Sequence, residues 1–245
     1  SLRYALIIPA PQLWEAHQQA KRALLDHVHA QCGIGLDPEM LTVGFARRMT
    51  AYKRADLLLA DPARLAAIAA KAGRLQIIFA GKAHPNDSSG KEIIQHILRL
   101  KDTLPPEVKV VYLENYDFAL ARLLTAGVDV WVNTPLPPLE ASGTSGMKAA
   151  LNGVPSLSIL DGWWLEGCIE GITGWSIGER PTEANPDTSR SDRDAASLYD
   201  KLEHVVAPLY YGERNRFMEV MRHAIALNGA FFNTQRTLQQ YVFKA

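Results

Sequence analysis

The sequence predicts an α/β fold, a Rossmann-like three-layer sandwich around a mainly parallel sheet. Three observations carry that expectation. From Leu41 onward short apolar runs alternate with stretches of helical pattern. The connections are long enough to be crossovers, which join parallel strands with a right-handed turn. Finally, 47% of the 245 residues are hydrophobic, enough for a sizeable core in one large α/β domain or two small ones, without staples.

The elements follow in order. Leu13, His17, Ala20, Leu24 and Val28 recur at helical spacing, so residues 12–31 read as an amphipathic helix, closed by Cys32-Gly33 and followed by a linker to Pro38. His17, His27 and His29 read as ordinary residues of that helix rather than metal ligands. Leu41 to Phe45 is a strand, with helical residues from Tyr52. Asp61-Pro62 is an N-cap with proline at the first helical position, opening a helix through Leu65, Ile68 and Ala69. Strands follow at Leu75–Ala80, Val108–Leu113, Val128–Val132 and Ser156–Leu160, with helices at Ser89–Leu100, Phe118–Thr125 and around Lys148. Gly178 to Ala195 is polar and contains proline, and reads as a mobile surface loop. Helices are expected at Ala196–Val206, Glu213–Leu227 and Thr234–Phe243. The sequence shows no internal repeat.

Charge and cysteine content narrow the function. The chain has 26 basic and 26 acidic side chains, so no broad positive field exists to hold nucleic acid or a membrane surface, although a local cationic pocket is compatible. Cys32 and Cys168 form no CxxC pair or metal cluster; they read as two buried, reduced thiols, which points to a cytoplasmic protein. No charged-then-apolar leader and no bilayer-spanning apolar run is expected.

The most informative segment runs from Leu139 through Glu140, Ser142, Gly143, Thr144, Ser145 and Lys148 to Gly153. Small residues and hydroxyls lead into a short helix whose first N–H groups and positive dipole end favour an anion. Ser142, Gly143 and Gly146 would let a ligand approach the main chain. Lys148 lies one turn after Thr144, on about the same face. An amine there suits either a phosphate clamp or a Schiff base to a phosphorylated aldehyde cofactor. Three further polar clusters follow strands: Arg47-Arg48 through Tyr52-Lys53-Arg54, Gly81-Lys82-Ala83-His84, and Glu114-Asn115-Tyr116-Asp117. Ligands of open parallel sheets bind beyond the carboxyl ends of the strands, so four such loops on one edge weigh more than any one of them.

These residues carry a family resemblance. Glu140 to Lys148, followed by Leu151-Asn152-Gly153, resembles the pyridoxal-phosphate lysine motif of α-glucan (glycogen, starch or maltodextrin) phosphorylases. Arg47-Arg48 through Tyr52-Lys53-Arg54 resembles their phosphate-site motif, and Gly81-Lys82-Ala83 and Glu114-Asn115-Tyr116 match two more blocks in order. Asp161 to Gly167 is most similar to the short bacterial and archaeal branch. The chain departs from the larger phosphorylases at Asp117 (arginine there), at Ser145-Gly146 (Gly-Asn) and at Arg47 (lysine).

The resemblance implies the cofactor-bearing C-terminal half of a two-lobed GT-B fold, with a leading helix and linker at 1–38, a Rossmann-like domain at 39–229 and a crossover helix at 230–245. It implies that Lys148 holds pyridoxal phosphate covalently, with Thr144, the Ser145 backbone and Arg47 facing the cofactor phosphate. Arg48 and Lys53 would bind inorganic phosphate, and Glu140, Ser142, Gly143 and Tyr52 the glucosyl unit. The implied reaction is reversible phosphorolysis of α-1,4-glucan to glucose 1-phosphate. An N-terminal lobe of the same polypeptide would supply a histidine, a glycine loop and much of the glucan path, so the isolated chain is expected to be inactive. Two rivals stand beside this. A nucleotide-sugar glucosyltransferase of glycogen-synthase type needs no lysine at 148, and a glucan-binding module could use Trp163, Trp164, Trp175 and Tyr210, for which a core role is expected instead.

Overall fold

The computed structural model describes residues 2–180 and 190–244. Six parallel strands, β1 (Leu41–Ala46), β2 (Leu75–Ala80), β3 (Val108–Leu113), β4 (Val130–Asn133), β5 (Ser156–Ile159) and β6 (Gly174–Ile177), form one sheet in the order β3-β2-β1-β4-β5-β6. β1 and β2 run in register from Leu41 opposite Leu75 to Ala46 opposite Ala80, and every residue of both is buried. Continuous burial is what a parallel sheet covered on both faces requires.

Helices supply the two outer layers. On one face α1 (Ala10–Cys32), α4 (Phe118–Gly127) and α5 (Thr144–Leu151) bury Leu24, Leu124 and Ala149 against Ile78, Val111 and Trp131. On the other, α2 (Pro62–Ala72), α3 (Ser88–Lys101), α7 (Arg190–Lys201), α8 (Ala207–Gly212) and α9 (Arg214–His223) cover Val43, Phe45, Ile77 and Phe79. The strand order reverses between β1 and β4, the switch point at which such sheets open a crevice beyond their carboxyl ends.

Aspartates start the crossover helices. Asp61 accepts the Arg64 N–H at 2.9 Å and Asp87 that of Gly90 at 2.9 Å, while Asp117 accepts that of Leu120 at 2.8 Å. Asp117, where larger phosphorylases carry arginine, thus caps α4.

A buried polar latch fastens α1 to the amino end of the sheet. Lys21, fully buried, donates to Asp129 Oδ2 at 2.6 Å, to the Met40 carbonyl at 2.6 Å and to the Tyr210 hydroxyl at 2.9 Å. Asp129 also takes the Thr42 N–H at 2.7 Å and lies 2.7 Å from His17 Nε2. Burial alone would raise the Asp129 pKa, but Lys21 and His17 outweigh it and hold the carboxyl below its ordinary value.

Several boundaries differ from the sequence expectation. β4 begins at Val130, because Asp129 turns into the latch and Val128 packs beside Gly44. From Ala51 the chain makes 3₁₀ turns at Ala51–Lys53 and Ala55–Leu59 rather than a longer helix. β6 and the one-turn helix α6 (Trp164–Gly167) were not anticipated; four residues are too few to display a period. Helix starts at Arg190, not after Ala195, since Asp194 is buried and pairs with Arg54 and Arg190; the rest of the expected loop, 181–189, lies outside the described residues. Beyond α7 come π-helical segments at Leu202–Val206 and Ala224–Gly229, with α8 and α9 between them, and then α10 (Thr234–Lys244). Cys32 and Cys168 are unpaired but half-buried rather than buried, and burial pushes the Cys168 thiol up to about 12. Trp163, Trp164, Trp175 and Tyr210 are all core residues. No described helix is long and apolar enough to cross a membrane.

Candidate active site

The loops after β1 to β4 meet at the carboxyl edge, and backbone bonds knit them together. The Met49 N–H donates to the Lys82 carbonyl at 3.1 Å, the Leu136 N–H to the Tyr52 carbonyl at 2.7 Å, and the Tyr112 hydroxyl to the Gly81 carbonyl at 2.9 Å. Arg54 ties the β1 loop to the β4 loop and α7. It donates to the carbonyls of Thr134 and Pro135 and to Asp194 and Ser191 at 2.8–3.0 Å. Its own backbone is left-handed, with φ 46°.

Glu140 is the electrostatic centre. Its Oε2 accepts from Arg47 Nη2 and from Lys53 Nζ, both at 2.6 Å, and all three side chains are about nine-tenths buried. Burial would raise the Glu140 pKa, but the Lys53 hydrogen bond and the Arg47 charge hold it below the usual carboxylate range. Burial lowers the Arg47 pKa, opposed by Glu140. Tyr52 stacks under the Lys53 ammonium at 4.5 Å, and burial raises the Tyr116 pKa against the opposing charge of Arg47, so the β3 loop also reaches this cluster.

Above the cluster stands α5. Gly143 precedes it with φ 86°, and no side chain caps its first turn. Thr144 and Lys148 are both exposed, and the Lys148 side chain makes no hydrogen bond or ion pair among the described residues. The Ser145 hydroxyl accepts from the Trp131 indole N–H at 3.3 Å, which leaves its backbone for any anion. Asn152 closes the helix by donating to the Lys148 carbonyl at 2.9 Å, and Gly153 takes φ 77° just beyond. One expectation fails here. Gly146 does not admit a ligand: a Cβ on it would lie 2.8 Å from the Trp163 indole, which fills that space. Gly146→Ala should therefore lower stability by about 1–3 kcal/mol, read by urea unfolding.

The structure thus brings Arg47, Lys53, Glu140 and Tyr52 into contact and sets Gly143, Thr144 and Ser145 at the helix start beside them. Arg48, Ser142, Lys82 and His84 are exposed around this edge, and His84 shapes its own turn by accepting the Asn86 N–H at 3.2 Å. Sequence reasoning missed Asp161, which lies just beyond β5 and accepts the Glu140 N–H at 2.9 Å. An acid before glycine at a strand end was the available signal. A cleft of about 750 Å³ lies alongside, lined by Arg54, Asp56, Glu92, His96 and Arg99 among others, but neither Glu140 nor Lys148 faces it.

The residues fit a phosphorylated aldehyde. Arg47 Nε and Nη1 are buried with no partner among the described residues, so the guanidinium has donors to spare beyond Glu140. An uncapped helix start and an unengaged primary amine one turn along complete the donor set.

Known proteins resemble this chain along most of its length. The profile of the carbohydrate phosphorylase family matches residues 10–170. The chain is 44% identical to maltodextrin phosphorylase of Thermococcus litoralis, over 97% of this chain and 30% of that protein. It is 43% identical to glycogen phosphorylase of Aquifex aeolicus, over 97% of this chain and 37% of the relative. It is 45% identical to that of Mycobacterium tuberculosis, over 84% and 24%. It therefore spans roughly a third or less of the length of these relatives. With that similarity running through nearly all its residues, the chain belongs to the carbohydrate phosphorylase family.

Proposed function

We propose that the protein containing this chain catalyses reversible phosphorolysis of terminal α-1,4-linked glucosyl units, releasing glucose 1-phosphate, with pyridoxal phosphate held by Lys148. The observation that carries this reading is the unengaged Lys148 amine, on one exposed face of α5 with Thr144, in a chain whose buried Arg47 has two spare N–H donors and shares a small cavity with Gly143 at the start of that helix. Family membership and the names of the relatives support it.

In this reading each residue has a task. Arg47, the Thr144 hydroxyl and the first N–H groups of α5 hold the cofactor phosphate. Arg48 and Lys53 gather inorganic phosphate, the first as a forked donor and the second as a compact charge. Bound there, pyridoxal phosphate supplies a phosphoryl group able to exchange a proton with inorganic phosphate. Two neighbouring phosphates repel, so cations fixed in advance lower the cost of bringing them together. Glu140, kept ionised by its two cations, accepts hydrogen bonds from hydroxyls of the sugar, with Ser142, Gly143 and Tyr52 around it. α10 leaves Leu238, Tyr241, Val242 and Phe243 exposed, which favours a crossing to an upstream lobe; the chain alone is expected to be inactive.

The test uses the full-length protein. Incubated with maltodextrin and inorganic phosphate, it should release glucose 1-phosphate, and borohydride should fix pyridoxal phosphate to Lys148 in a peptide found by mass spectrometry. Label elsewhere, or glucose 1-phosphate absent from the products, would overturn the assignment.

A further inference from the structure

The segment after β5 is keyed to the turn that carries Glu140. Asp161, 6% exposed, accepts the Glu140 N–H on Oδ2 at 2.9 Å and the Gly162 N–H on Oδ1 at 3.0 Å. The Trp163 N–H donates to the Ser142 carbonyl at 2.8 Å. Gly162, at φ 54°, comes so near that a Cβ would lie 2.5 Å from the Ser142 carbonyl oxygen and 3.0 Å from that of Glu140. The Trp163 indole lies against Gly143 and Gly146. The two polar contacts that reach the turn are both to its backbone.

A carboxylate this deep ordinarily sits against a cation, because unpaired buried charge is costly. Among the described residues none forms an ion pair with Asp161, although Arg47 and Glu140 line the same small cavity; Arg47 meets Glu140 through Nη2. What the buried charge does hold is the backbone of residue 140, by a charge-assisted bond stronger than a neutral one.

We propose that Asp161 is a positioning residue: its carboxylate fixes the backbone at Glu140, and so the point where the Glu140 side chain meets both the sugar and its two cations. The proposal rests on the phosphorolytic reading of the site. Two backbone donors need two acceptor oxygens. Asparagine offers one, uncharged, and turns an NH₂ toward the other N–H, so Asp161→Asn weakens the hold on the Glu140 N–H without changing the side chain's volume. A displacement of about 1 Å in a positioned group costs on the order of 10²-fold in rate.

The experiment compares Asp161→Asn, Glu140→Gln and the double variant in the full-length protein. It measures steady-state phosphorolysis, and binding of glucose 1-phosphate by calorimetry without glucan. Asp161→Asn should lower kcat about tenfold or more and weaken glucose 1-phosphate binding. The double variant should be no worse than Glu140→Gln alone, because a residue acting through Glu140 has nothing left to position. Unchanged kcat in Asp161→Asn, or losses that simply add, would overturn the proposal. Full activity in Glu140→Gln would overturn the proposal by removing the role of Glu140, whereas no phosphorolysis by the unsubstituted protein would remove the reading beneath it. Should Asp161→Asn not fold, Asp161→Glu, with both oxygens moved by one methylene, must show the same non-additive loss; if neither folds, Asp161 serves the fold and the proposal fails.

Discussion

Alanine in place of Lys148 should lower phosphate-dependent release of glucose 1-phosphate by about 10³-fold or more in the full-length protein. The melting temperature should stay within about 2 °C. The Lys148 side chain is exposed and has no partner among the described residues, so its removal leaves no cavity and orphans no group. Any loss is then chemical. Lys148→Arg separates the two readings of an amine beside an anion pocket. Arginine keeps the charge, but its guanidinium does not condense with an aldehyde, so this variant should be as inactive as alanine and should take up no borohydride label. Substantial activity with arginine would make Lys148 a phosphate clamp only.

The second large effect is on stability. Asp129→Ala should cost about 3–5 kcal/mol in urea unfolding, because it strands the fully buried ammonium of Lys21. Adding Lys21→Met should recover much of that loss, since a well-packed apolar pair avoids the desolvation of both charges. The acid limb follows from the same group. Asp129 titrates in the folded state below its ordinary 3.8, so its contribution is complete above that value and fades as pH falls toward the folded pKa. A cost below about 1 kcal/mol for Asp129→Ala would show the latch to be energetically idle.

Periodicity revealed the first five strands because each is a short apolar run between helices long enough to show a 3.6-residue repeat. β6 and α6 stayed hidden at four residues apiece, and α7 was masked by Arg190, Asp192 and Arg193, whose polarity resembles a loop until Asp194 is seen inside. Within the site, residue types foretold a cationic anion pocket. They did not foretell that Arg47 and Lys53 would share one oxygen of Glu140, a fact of three-dimensional closure between residues 87 to 93 positions apart. Gly146 misled for a related reason. Its lack of a side chain makes room for Trp163, which only the folded chain brings there.

Arg54 has a consequence for how this edge tolerates change. Glycine would suit the left-handed backbone there, yet would surrender every bond that joins three segments. Lysine would keep the charge but, with one nitrogen, could not serve two carbonyls, a hydroxyl and a carboxylate together. Every single exchange is thus downhill, and mutational drift past this position needs simultaneous changes in separate parts of the chain.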